Sequence, residues 1–496
     1  MFEDGYKDSE LVIALVGAVG TELGRISQAL SEMLRRYKYT TEEIRISSDV
    51  IGEMVELQDF DHHDEFERIS GYMDAGNSLR DKYKDNSILA LGAAARINQK
   101  RASENGAKEP LKRHAFVLNS LKNEDEVARL REIYTDGLFV IGVHSSDQRR
   151  QHYLVENLGI PLEKAEALMI RDHDETDGHG QHTSRTFHLA DFFIDENGDN
   201  DKVTADLARI LKLIFGNPYI TPTFDEFAMF MAFTSSLRSA DLSRQVGAVI
   251  AKDKRIISTG ANDVPTFGGG LYWPDLSAGG KEITDVDGGR DHTRGVDENV
   301  KQTNELINEI VARFPEELRT TASAILSDSP IKNITEYGRV VHAEMDAILA
   351  CARANESAAG AALYSTTFPC HNCAKHIIAT GVRRVVYVEP YAKSKALEFH
   401  DDAIVLGNPA EKIKDKVVFE PFVGVGPRSF FNLFSIGLGN GSPIKRKTKD
   451  GKIVKWETES AKLRMQMLPT SYVERESLAT NALEEYLGGN DERANH

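Results

Sequence analysis

Only three cysteines occur in 496 residues, Cys351, Cys370 and Cys373, too few for a disulfide framework, and two of them share one short motif. No apolar run approaches the roughly eighteen residues that a membrane-spanning helix requires. The opening Met1-Phe2-Glu3-Asp4 lacks the basic and apolar regions of a secretory leader. Both absences lead us to expect a cytoplasmic protein. Positive charge is also scarce: 60 Lys and Arg stand against 77 Asp and Glu, a formal net charge of −17. That balance opposes a generic polyanion-binding surface, because phosphate neutralisation drives non-specific nucleic-acid affinity. A small nucleotide held in a local pocket is compatible with it. What is present is a globular chain, 41% hydrophobic, long enough for two or three units.

The most specific pattern is Val341-His342-Ala343-Glu344, answered by Phe368-Pro369-Cys370-His371-Asn372-Cys373. A catalytic zinc site keeps three protein ligands and leaves the fourth position to water, so one imidazole and two thiolates fill the set: His342, Cys370 and Cys373, with one Zn2+ per chain. Two thiolates make the ion a milder Lewis acid, and a nearby base is needed to help deprotonate water. Glu344 is that base by position, taking the water proton and delivering it to a ring nitrogen beside an amino-bearing carbon. Helix-forming residues after His342 place His342 and Glu344 on a first turn, and Pro369 suits the start of a second helix whose dipole favours thiolates. The bland alternative is a closed structural zinc with His371 as a fourth ligand, which leaves Glu344 without a purpose. Cys351 reads as a buried small hydrophobe.

Near the N-terminus, Leu11-Val12-Ile13-Ala14-Leu15-Val16 reads as a buried strand, followed by Gly17-Ala18-Val19-Gly20-Thr21-Glu22-Leu23-Gly24 and a helical pattern. Strand, glycine-rich loop and helix is the layout of a phosphate-binding loop. Glu22 and Leu23 stand where that loop has its Gly and Lys, which removes the usual phosphate-directed lysine. Candidate nucleotide-binding residues are Gly17, Gly20, Thr21, Gly24 and Arg25, the last as a substitute charge; the alternative is a glycine turn closing a βα unit. Strands at Arg113-His114-Ala115-Phe116-Val117-Leu118 and Leu138-Phe139-Val140-Ile141-Gly142-Val143, with an amphipathic helix between them, continue a parallel α/β rhythm. Gly71 to Arg80 is expected as a turn lining the sheet's carboxyl edge. This half looks like a P-loop nucleotide or nucleoside kinase, with the His- and acid-rich stretch from Arg171 through His179, His182 and His188 in the lid position; that stretch is also a weak metal candidate. Gly216-Asn217-Pro218-Tyr219 marks a boundary.

The second half predicts an apolar helix from Phe224, two strands joined at Lys252-Asp253-Lys254, the His-x-Glu helix, strand Ala362-Leu363-Tyr364-Ser365, the cysteine helix and strand Arg384-Val385-Val386-Tyr387-Val388. The overall expectation is an α/β chain: a P-loop kinase-like parallel sheet at residues 1–218, a cytidine-deaminase-like three-layer α/β/α domain at 219–425 with an insertion at about 267–337, and a C-terminal extension at 426–496. Lys445 to Trp456 reads as a hairpin with an Asp-Gly turn and a basic face, a candidate for phosphate or RNA contact or simply a lysine-protected edge.

Arg244-Gln245-Val246-Gly247-Ala248-Val249, Gly260-Ala261-Asn262-Asp263-Val264-Pro265, His342-Ala343-Glu344 and Tyr364 to Cys373 together resemble a deoxycytidylate deaminase. With its kinase-like half, the chain is similar to bacterial antiphage deoxycytidine-nucleotide deaminases. The resemblance implies conversion of dCTP and dCMP to dUTP and dUMP, depletion of precursors for phage DNA synthesis, a homo-oligomer and, in some relatives, an inhibitory small RNA. Carried over by position, Asn262 contacts the deoxyribose hydroxyl and Tyr391 lines the pocket. Two other readings stay open: a polynucleotide deaminase of the same chemistry, and a nucleotide- or RNA-regulated sensor with the deaminase as its output.

Overall fold

Seven successive buried residues, Leu11–Gly17, form β1, the apolar run expected of a strand covered on both faces. The computed structural model describes residues 8–55, 64–105, 109–173, 183–197, 200–276, 280–334, 336–391, 394–407, 415–467 and 469–488. Residues 1–4 of the leader reading, 174–182 of the expected lid and metal candidate, and 392–393 beside Tyr391 lie outside them. Among the described residues no helix is long and apolar enough to cross a membrane. The chain divides into two units, Met1–Glu226 with Pro421–His496, and Phe227–Glu420.

In the first unit, β1 lies between β3 (His114–Leu121) and β4 (Leu138–His144), both parallel to it. Outside these run β2 (Thr40–Arg45) on β3 and β5 (Phe192–Asp195) on β4, again parallel. A two-residue strand, Gly424–Val425, adds antiparallel to β5. The parallel sheet is the α/β arrangement expected from the rhythm of strands and helices. Asn119-Ser120-Leu121 belongs to the end of β3. The expected turn at Gly71 to Arg80 is helical instead, inside Glu65–Tyr83. The Asp64 side chain caps that helix by accepting from the Phe66 and Glu67 N–H groups, and this start signal overrides the two internal glycines.

The C-terminal residues are not a separate extension. Leu433, Ala461, Leu463 and Met465 enter the same core as β1, and Trp456 donates from Nε1 to the Phe215 carbonyl at 3.1 Å. Arg101, fully buried, donates to Glu10 at 3.1 and 2.9 Å and to Glu476 of the helix Pro469–Gly488. The unit extends to Glu226 rather than 218 because that buried carboxylate accepts from Thr223, Arg209 and Val425. The basic hairpin forms, with Lys447 bridged to Ile453 and Gly451 at φ +82° in its turn.

In the second unit, β6 (Gly247–Lys252) and β7 (Arg255–Ala261) form an antiparallel hairpin whose turn residues Asp253 and Lys254 both have positive φ. Next to β6 lies β8 (Ala362–Thr367), antiparallel to it and parallel to β9 (Arg384–Glu389). Beyond β9 come β11 (Val417–Pro421) and β10 (Ile404–Leu406). Helices Ala343–Arg353 and His371–Ala379 contribute Ala343, Ala347, Cys351, Cys373, Ala374 and Ile377 to the core with β6 and β8. Gly260 on β7 allows the first of these helices to approach: a Cβ there would sit 2.2 Å from the Ala343 carbonyl and 2.4 Å from the Ala347 nitrogen. The expected insertion carries a small hairpin, Asp275–Leu276 with Ile283–Thr284, and the helices Glu298–Ala312 and Arg319–Ser327.

Candidate active site

Two helix N-termini meet at the site. His342 is the N-cap of Ala343–Arg353, and Cys370 is the N-cap of His371–Ala379, with Cys373 in the first turn. His342 and Cys370 thus stand one position ahead of the helical turns where the pattern predicts them. The Sγ atoms of Cys370 and Cys373 each lie 3.4 Å from His342 Nδ1, and the three donor atoms fall within 4.8 Å of one another. Around a tetrahedral zinc, with nitrogen at about 2.0 Å and sulfur at about 2.3 Å, those atoms would be about 3.5 Å apart. The donor set and its spacing therefore fit a divalent, thiophilic metal, and among the described residues it is the one such cluster.

The thiols are unequal. A hydrogen bond from Cys373 and the neighbouring His342 hold the Cys370 thiol down at about 4, whereas Cys373, hydrogen-bonded to Cys370 and deeply buried, is pushed up. A bound dication would require both as thiolates, because a metal-bound cysteine is deprotonated.

Glu344, only 4% exposed, places Oε2 3.3 Å from Cys373 Sγ and accepts from Ser365 Oγ at 3.4 Å on Oε1. Burial raises its pKa, and the negative charge at Cys370 adds to that. It is a carboxylate beside the metal ligands, anchored at one oxygen and able to hold a proton at the other. The pattern did not single out Ser365. Nothing in the spacing marks it: it is one of three hydroxyl residues ending the strand, of which Ser365 is fully buried and Thr367, on the same face, is nearly so.

Thr367 belongs to a second cluster that spacing did not reveal. Arg244 donates from Nη2 to Thr367 Oγ1 at 2.9 Å and to Glu389 Oε2 at 2.7 Å. Its guanidinium carbon lies 5.9 Å from the ring centroid of Tyr391. Tyr391 is half-buried against the second core, and burial, with Cys370 nearby, raises its pKa. Asn262 is buried, with its Oδ1 accepting from the Val246 N–H at 2.6 Å and its Nδ2 donating to the Arg244 carbonyl at 2.7 Å. Its amide therefore braces the start of β6 and keeps one further donor and one lone pair.

The glycine-loop residues lie in the first unit, between β1 and the helix Leu23–Leu34. Gly17, Gly20, Thr21 and Gly24 line a cavity of about 380 Å³. Arg25 does not line it; its guanidinium is engaged by Asn200 and lies 3.6 Å from Glu196.

Residues 222–389 match the family described as "Cytidine and deoxycytidylate deaminase zinc-binding region". The deoxycytidylate deaminase of Enterobacteria phage T4 is 32% identical over 174 residues, 33% of this chain and 77% of the phage protein. That of Mycobacterium phage D29 is 29% identical over 166 residues, 34% of this chain and 94% of the phage protein. The crystal structure of the dCMP deaminase from cyanophage S-TIM5 with dCMP and dUMP aligns with 41% of this chain and 100% of its own, at 19% identity and a TM-score of 0.24. On the extent of the phage T4 likeness, this chain belongs to the deoxycytidylate deaminase family, hydrolases of carbon–nitrogen bonds in cyclic amidines.

Proposed function

We propose that this chain hydrolyses deoxycytidine nucleotides, dCMP and dCTP, to dUMP and dUTP with release of ammonia. The observation that carries the reading is Glu344, buried against a His342–Cys370–Cys373 triplet whose spacing suits zinc, in a segment related to phage deoxycytidylate deaminases. His342, Cys370 and Cys373 would hold the metal. Bound zinc supplies a Lewis acid that lowers the pKa of water.

The rest falls to the protein. Glu344 accepts the proton of the attacking water and passes it to the ring nitrogen beside the amino-bearing carbon. Once the carbon–oxygen bond has formed, Glu344 takes the second proton of that water and gives it to the amine, which leaves as ammonia as the carbon–nitrogen bond breaks and the oxygen becomes the carbonyl. Ser365 fixes Oε1, so one carboxylate oxygen stays turned to the reaction. Tyr391 lines the pocket with Arg244 beside it, and the remaining amide hydrogen of Asn262 serves the sugar hydroxyl.

A product assay over dCMP, dCTP, CTP, cytidine and single-stranded oligonucleotides, with Glu344→Ala as the blank, tests the reading. Deoxyuridine nucleotides should appear from dCMP or dCTP. No ammonia from either in zinc-containing buffer would sink the proposal, and product from oligonucleotides alone would make the chain a polynucleotide deaminase. Draining deoxycytidine nucleotides starves DNA synthesis, and the resemblance to bacterial antiphage deaminases supports proposing this activity as a defence against phage, in a homo-oligomer that, as in some relatives, a small RNA can restrain. Phage should form fewer plaques on cells carrying wild-type protein than on cells carrying Glu344→Ala.

A further inference from the structure

The insertion folds back onto the segment that follows β7. Pro265 is bridged to Leu271, and the Tyr272 N–H donates to the Val264 carbonyl at 3.1 Å. Arg290, farther along the insertion and only 5% exposed, clamps this return. It donates from Nη2 to the Tyr272 carbonyl at 2.6 Å, places the same nitrogen 3.2 Å from Asp263 Oδ2, and sets Nη1 3.1 Å from Asp285 Oδ1. Long segments inserted in a compact domain commonly carry function.

Asp263 is the partner with consequences. It is 1% exposed, and burial raises its pKa against the opposing pull of the Val264 N–H and Arg290. Its Oδ1 accepts that N–H at 2.8 Å, and Arg290 stands beside Oδ2. The other arginine nearby, Arg238, is engaged elsewhere: it donates to the Tyr272 carbonyl at 2.7 Å, and its guanidinium carbon lies 3.6 Å from the Trp273 ring centroid. Arg290 is therefore the direct counter-charge of a buried carboxylate, and removing such a partner is strongly destabilising.

Asp263 also stands between two parts of the candidate site. Its covalent neighbour is Asn262, whose amide serves the sugar hydroxyl in the reading above. On its other side it exchanges backbone hydrogen bonds of 3.3 and 3.0 Å with Val341, the residue before His342. His342 has further anchors, since the helix Ala343–Arg353 begins at it and two thiols face it. The contact of Asn262 with a hydroxyl is one hydrogen bond, which weakens steeply as its angle departs from linearity. A small turn of the backbone at 262–263 is therefore felt first at the sugar.

We propose that Arg290 is a positioning residue of the deaminase reaction: it holds the Asp263 carboxylate and, through it, the Asn262 amide that recognises the sugar hydroxyl. The inference rests on the deoxycytidine-nucleotide reading of the site. It gives the insertion a part in substrate choice, exerted through one buried ion pair.

The test compares kcat/KM for dCMP and for its 2′,3′-dideoxy analogue, which has no sugar hydroxyl, using full-length protein loaded with zinc. Wild type should prefer dCMP. Arg290→Ala and Asp263→Asn should each cut that preference about fivefold, the size of one hydrogen bond between uncharged groups. Turnover of the dideoxy analogue and zinc content should stay near those of wild type. Arg290→Lys, which keeps the charge, should hold most of the preference. The double variant should lose no more than the worse single one, because both changes remove the same contact. Should Arg290→Ala fail to fold by circular dichroism, Asp263→Asn and Arg290→Lys decide, since asparagine matches aspartate in volume and keeps an acceptor for the Val264 N–H. An equal loss on both substrates gives Arg290 a structural role alone and overturns the proposal. So does a preference unchanged in Arg290→Ala and Asp263→Asn, or a wild type indifferent to the hydroxyl. No turnover of either substrate by wild type defeats the deoxycytidine-nucleotide reading itself, and this inference with it.

Discussion

Replacing Glu344 by glutamine separates proton transfer from metal binding. Glutamine matches glutamate in volume, which matters at a position only 4% exposed. Its carbonyl oxygen can still accept from Ser365 Oγ, as Oε1 does at 3.4 Å, and its NH2 falls where Oε2 lies 3.3 Å from Cys373 Sγ, offering that sulfur a donor. The three metal donors are untouched. What disappears is the capacity to accept a proton and give it back. General acid–base catalysis contributes about 10²- to 10⁴-fold, or roughly 3–5 kcal/mol of transition-state stabilisation. A residue that both takes and returns the proton belongs at the upper end, so kcat/KM for dCMP should fall about 10³- to 10⁴-fold.

Metal content, measured by atomic emission after dialysis, should stay near that of the wild type, while Cys373→Ser should lose both metal and activity. The thermal midpoint of Glu344→Gln should not drop, since a desolvated carboxylate is exchanged for a neutral amide. Activity within tenfold of wild type would refute the proton-shuttle role. Loss of metal from Glu344→Gln would show that Glu344 acts as a ligand instead.

Gly260→Ala should destabilise the protein by about 3 kcal/mol or more, the upper range for overpacking, because its Cβ meets helix backbone at 2.2 and 2.4 Å; denaturant unfolding and dCMP turnover should fall together. Arg101→Ala leaves Glu10 and Glu476 buried without their counter-charge, and breaking such a pair costs about 3–5 kcal/mol. Chemical denaturation checks this, and a change under 1 kcal/mol would contradict it. Burial holds His114 below its ordinary pKa, so the unfolded chain takes up the proton first. Its contribution is complete above the unfolded pKa of about 6.5 and is lost as pH falls from there through the depressed folded value; His114→Gln should flatten the unfolding profile between pH 7 and 5.

Helix and strand types were legible where patterns were strong. The buried run of β1, the amphipathic helix Glu124–Tyr134 and the turn at Asp253-Lys254 are local, and their geometry follows from a few neighbouring residues. The meeting of His342, Cys370 and Cys373, with Glu344 beside them, was expected for a different reason: metal chemistry restricts the residue types, and the starts of two short helices carry them. The stretch from Gly71 to Arg80 misled because its two glycines suggest a turn, while the cap that starts the helix stands several residues earlier, at Asp64.

From the sequence alone came the candidate donor set, the neighbouring glutamate and the alternation of strands and helices, because covalent neighbours and periodicity decide them. Only the tertiary structure brought Ser365 to Glu344, turned the Asn262 amide onto β6, and set Lys122 and Asp172 at the glycine loop from positions far along the chain. Such meetings depend on strand order and burial. A buried polar atom must find a partner wherever the fold supplies one, and no spacing along the chain records that choice.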